Sequence, residues 1–181
     1  MWFPEQEIPP DSRNWITMLG RATFVCQLFE RYCRYVFRIA DLATGFESGR
    51  YASLDDANQP LIIDSLERSA LHGIIKSMAH LSESGERELD ALLAAKEARN
   101  YFAHKAAMPI FPLLVSRTTA VELPQTQKQA ASLSRGFAVL ARWVFEIEEK
   151  DVPPRHAREG HADRICRWIM DPLLTAADDP G

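Results

Sequence analysis

Apolar residues recur along most of the chain at spacings of three and four, the period of a helix face, and no stretch alternates convincingly at period two. In the first run Trp15, Leu19, Ala22, Cys26, Phe29, Cys33, Val36 and Ala40 alternate strictly by four and three, which is the seam of a bundle helix. Asp11 or Ser12 suits its N-cap, its end is expected near Gly45, and "ESGRYASLDDANQ" reads as a loop. Pro60 suits the first turn of a second helix, with Ile63, Leu66, Ala70, Ile74, Met78 and Leu81 on one side. "SESGE" offers a Ser cap followed by acids, so a third helix starts around residues 83–86 and runs until "MPIFPLL", where two prolines break it. A fourth follows Pro124 with the stripe Leu133, Phe137, Leu140, Val144 and Ile147, stopped by "VPP". A short fifth around Ala162 to Met170 precedes a polar, acidic tail.

Long amphipathic helices without strand signals predict an all-α fold, an up-and-down helical bundle of four to five helices. The bundle is expected over residues 11–150, with residues 151–181 as a C-terminal short helix and tail. No repeat and no low-complexity segment interrupts this plan.

Composition narrows the classes. The chain has 181 residues, 46% hydrophobic and 25% charged, enough for one domain with a real core. Three cysteines, Cys26, Cys33 and Cys166, with no CxxC pair, suit a reducing compartment better than a disulfide framework. "MWFPEQEIPP" lacks the basic start and apolar run of a signal peptide, and no apolar stretch reaches the ~20 residues of a membrane span. A cytoplasmic protein with no membrane contact is therefore expected. A net charge of −4 excludes a surface coated in basic charge for indiscriminate nucleic-acid binding, so any contact with RNA must be local. Arginine outnumbers lysine, 16 to 5, and a guanidinium is the better fork for phosphate, although codon usage gives the same excess.

Chemistry concentrates in "ARNYFAHKA", near the end of the third helix. Asn100 and His104 share a face with Glu97, while Arg99 lies about 140° round the helix from His104 and needs its long stem to reach that groove. Leu89, Leu92, Ala95 and Phe102 make the apolar side. An imidazole can take or give a proton near neutral pH, an arginine can hold a phosphate through paired N–H donors, and an amide can orient the imidazole. Together they fit metal-independent phosphodiester cleavage in RNA, where the 2′-OH is a nucleophile already in place.

"RNYFAH" resembles the R-x4-H signature of HEPN domains (higher eukaryotes and prokaryotes nucleotide-binding), in which the residue after Arg is polar and the motif sits on a helix of an all-α bundle. Similarity to HEPN ribonucleases implies a metal-independent endoribonuclease needing no cofactor. Arg99 would stabilise the phosphate, Asn100 would orient the imidazole, and His104 would act as general acid and base, with Glu97 orienting Arg99 or Asn100. It also implies a homodimer with two motifs facing across a two-fold axis, and a toxin or defence setting with an antitoxin or nucleotidyltransferase partner protein. In the subset silenced by a nucleotidyltransferase a Tyr stands two residues after the motif His, whereas this chain has Ala106 there and Tyr101 inside the motif.

Other readings stand beside this one. A catalytically silent HEPN-like scaffold, or an unrelated helical interaction domain, would carry the same letters, and His104 alone could be a helix-end histidine. Arg31, Arg34 and Arg38 form a stripe on the first helix that could track an RNA backbone, or simply a solvated face. "PPRHAREGHADRICRW" is the most basic segment but follows no helical stripe, and His156, His161 and Cys166 make no convincing zinc spacing. His72 and His80 are expected at the core or its boundary.

Overall fold

The computed structural model describes residues 10–58, 70–78, 86–106, 123–149 and 159–174. The protein is an all-α helical bundle, with six helices and no strand among the described residues. They are α1 (Pro10–Glu47), α2 (Leu54–Ala57), α3 (Leu71–Ser77), α4 (Glu86–His104), α5 (Leu123–Glu149) and α6 (His161–Leu174). The expected residues Ile63, Leu66, His80, Leu81 and His156, the "SESGE" cap and the "MPIFPLL" break lie outside the described residues.

The long helix α1 packs against α3, α4, α5 and α6, and α5 joins α4 to α6. Six of the eight expected seam residues, Trp15, Ala22, Cys26, Phe29, Cys33 and Val36, are buried, joined by Met18 and Val25, while Leu19 and Ala40 are half-buried. Trp15, Met18, Phe29 and Val36 lose essentially all their exposure, and each such side chain contributes about 1.5–3 kcal/mol. Tertiary packing of this face, rather than intrinsic propensity, therefore holds a helix whose sequence includes Gly20, Thr23 and two cysteines.

Several boundaries differ from the sequence reading. Helix α1 passes through Gly45 and ends at Glu47, because the left-handed residue that stops it is Gly49, with φ +72°. Gly45 serves a different need: the Tyr51 ring lies so close that a Cβ there would stand 2.2 Å from it. The expected loop contains the one-turn helix α2, since Ser53 caps the Asp56 N–H at 3.2 Å and Asp55 and Asp56 sit in the first turn. The expected second helix does not run through Ala70, whose ψ of 136° is extended, and α3 starts only after it. Ile74, Ile75 and Met78 supply the buried side of α3 and Ala70 is exposed, so nothing on the core side keeps it in a helical register.

Helices α4 and α5 cross closely where Gly136 meets Ala91 and Ala95; a Cβ at 136 would lie 2.3 Å from the Ala95 Cβ. Helix α6 continues past Met170 to Leu174 and includes Pro172. Pro172 has no N–H for the Trp168 carbonyl one turn back, and Arg21 Nη1 of α1 donates to that carbonyl at 2.7 Å instead. The guanidinium also lies 5.3 Å from the Trp168 ring centre.

Candidate functional site

Helix α4, "ERELDALLAAKEARNYFAH", is built almost wholly of strong helix formers, which suits an element packed on one side only. Leu92, Ala95, Ala98, Tyr101 and Phe102 are buried and Leu89 half-buried, while Glu97 and His104 are exposed and Arg99 and Asn100 half-buried. The last turn is tied down from two sides. The Tyr101 hydroxyl lies 2.8 Å from Thr126 Oγ1 of α5 in a buried contact, and the buried Trp15 Nε1 of α1 donates to the Ala106 carbonyl at 2.9 Å. Tyr101, inside the motif, thus serves the core.

Arg99 points toward α1, where its Nε donates to Glu30 Oε1 in an ion pair. Its Nη1 donates to Asn100 Oδ1 at 3.3 Å, which draws the guanidinium round the helix toward the side carrying His104. Both partners of the pair keep about 30% of their exposure, 31% for Arg99 and 28% for Glu30, so the pair adds about 0–1 kcal/mol to stability. What it fixes is direction. Beneath it, burial pushes the Cys26 thiol up to about 12 despite the pull of Arg99, so this neighbour is a neutral, apolar floor rather than a nucleophile.

His104 closes the helix, exposed and with no hydrogen bond or ion pair among the described residues. Glu97 pairs with Lys96 Nζ at 2.5 Å rather than with Arg99 or Asn100, and Lys96 first, then the charges of His72 and Lys105, hold its carboxyl below the usual range. His72 is exposed on α3, where the pattern had suggested the core or its boundary; it follows Ala70 and Leu71 at the start of a helix whose burial begins only at Ile74.

The three arginines of α1 have separate surroundings. Arg31 is exposed and Arg34 half-buried, whereas Arg38 binds Asp41 at 3.3 Å, the Ala57 carbonyl, and Asn58 Oδ1 at 3.0 Å, closing the corner between α1 and α2. Glu30 is the member that sequence reasoning missed. The one available signal was an acid beside the seam residues Phe29 and Cys33, where a carboxylate needs a partner from another element. Among the described residues no cluster of His, Cys, Asp or Glu could hold a metal ion, and no helix is long and apolar enough to cross a membrane.

The chain matches no family model, no curated protein and no solved structure.

Proposed function

We propose that the protein is a metal-independent endoribonuclease of HEPN type, acting as a homodimer in a toxin or defence setting in the cytoplasm. The observation that carries the reading is the last turn of α4, where Arg99 is bonded to Asn100 and the exposed His104 follows one turn on. His104 takes the proton of the 2′-OH as that oxygen attacks the adjacent phosphorus. Arg99 offers N–H donors to the phosphate oxygens as negative charge builds there. The bond to the 5′-oxygen breaks, and that oxygen receives a proton from the imidazole of the second copy across the two-fold axis. The products are a 2′,3′-cyclic phosphate and a 5′-hydroxyl. Arg31 and Arg34 guide the RNA backbone, and an antitoxin or nucleotidyltransferase protein is the expected partner class.

A second reading has its own support. Glu30 already occupies Arg99 Nε, as in a binding module whose motif is filled by a neighbouring side chain. Cleavage of a mixed-sequence RNA in EDTA separates the two. The wild type is expected to cut, and His104→Ala and Arg99→Ala to lose at least about 10²-fold with helicity unchanged. A folded wild type as inert as both variants makes the protein a scaffold, and activity retained in both variants puts the site elsewhere.

A further inference from the structure

We infer that Glu30 is a positioning residue for the motif arginine, setting the guanidinium plane in which Arg99 meets phosphate; this rests on the nuclease reading above. A guanidinium on a four-bond stem has many orientations, and the arginine begins about 140° round the helix from His104. Two contacts on two different nitrogens remove that freedom. Glu30 holds Nε from α1 and Asn100 holds Nη1 from α4, and with the stem atom Cδ, which is coplanar with them, these two anchored nitrogens define one plane. Nη2 has neither partner among the described residues, so it and the second N–H of Nη1 form the edge left for two oxygens of one phosphate. Glu30 reaches from a helix packed along its whole seam, so the anchor is a rigid one. It touches no reacting atom and acts through Arg99.

Among the described residues Arg99 is the partner of this carboxylate. The pair is partly exposed on both sides, and the thiols below it are buried and protonated whether or not it is there. A change at Glu30 therefore reads out as geometry with little loss of fold.

The experiment is steady-state cleavage of one single-stranded RNA oligonucleotide of fixed sequence, in EDTA, by full-length wild type, Glu30→Gln, Glu30→Ala, Arg99→Ala and the Glu30→Ala/Arg99→Ala pair. Melting temperatures are measured alongside. Glu30→Ala is expected to lower kcat by on the order of 10²-fold while KM moves far less, as misplacement of a transition-state group does. Glu30→Gln, which keeps an oxygen for Nε, is expected to recover part of that loss. In the pair, losing Glu30 is expected to add nothing to the loss of Arg99, because the first acts only through the second. An active wild type with Glu30→Gln and Glu30→Ala equally fast or faster overturns the inference alone, and faster variants would make the carboxylate a competitor for phosphate. Additive losses in the pair overturn it too, since Glu30 would be acting elsewhere. A folded but inert wild type removes the nuclease reading and this inference with it.

Discussion

His161 begins α6 half-buried, its ring 6.4 Å from that of Phe137. Burial first, and the Arg164 charge second, hold its imidazole below its ordinary value of 6.5. The unfolded chain therefore takes up this proton before the folded one does, and stability is lost as pH falls from about 6.5 toward the depressed folded value, then levels off. A His161→Gln variant is expected to lack this component. The melting-temperature advantage of wild type over variant should shrink between pH 7.5 and pH 5.5, and a constant difference would mean that the imidazole titrates alike in both states. At this scale the motif itself was legible, because Arg99, Asn100 and His104 lie within six residues of one helix. Glu30 was not legible, since its partner is 69 positions away and no local pattern names it. The partner of Glu97 was not legible either: shared azimuth with Asn100 does not say that the nearer Lys96 will pair with the carboxylate.

Between helices the glycines and prolines decide the fit. Gly136→Ala drives a methyl group into Ala95 Cβ and within 2.8 Å of the Ala91 carbonyl, both on α4, and is expected to cost about 1–3 kcal/mol. Urea denaturation would show a lower midpoint at unchanged slope, and Ala95→Gly in the same chain should return part of the loss; no loss would mean that α4 and α5 separate freely here. Arg21→Ala is expected to cost about 1 kcal/mol, because the Trp168 carbonyl loses its donor. In a Pro172→Ala background that cost should fall, since an alanine N–H can bond the same carbonyl, and an equal cost in both backgrounds would assign the role of Arg21 to its other partners, the Trp168 ring and the Asp171 carboxylate 3.4 Å away. Helical period revealed α1 and α5, because each carries a buried stripe over several turns, while α4 was read from its acidic start and the prolines that follow it. It could not show that Gly45 accommodates a ring while the left-handed Gly49 stops the helix, or that Ala70 is extended, since the first depends on what lies opposite and the others on backbone conformations that a hydrophobic period does not carry.

For the molecule as a whole, the net charge of −4 means that any bound RNA would have to be held by a local cationic surface against an unfavourable background. Binding of single-stranded RNA to the His104→Ala variant is expected to weaken steeply with salt. Arg31→Ala should lower the slope of log K against log salt by about 0.7, the share of one phosphate contact, whereas an unchanged slope would exclude Arg31 from the RNA path. The all-α class was readable from pattern and composition together, but the arrangement of the helices about the motif was not. That arrangement has a consequence in time. The last turn of α4 is fastened by Glu30 and by Trp15, partners 69 and 91 residues distant, so its geometry waits on closing two long loops. A nascent chain that has exposed "RNYFAH" holds the letters of the motif, yet their geometry is set only when α1 docks. In the RNA-cleavage assay a peptide of residues 86–106 is therefore expected to stay inert at any concentration, even where the full-length chain cuts.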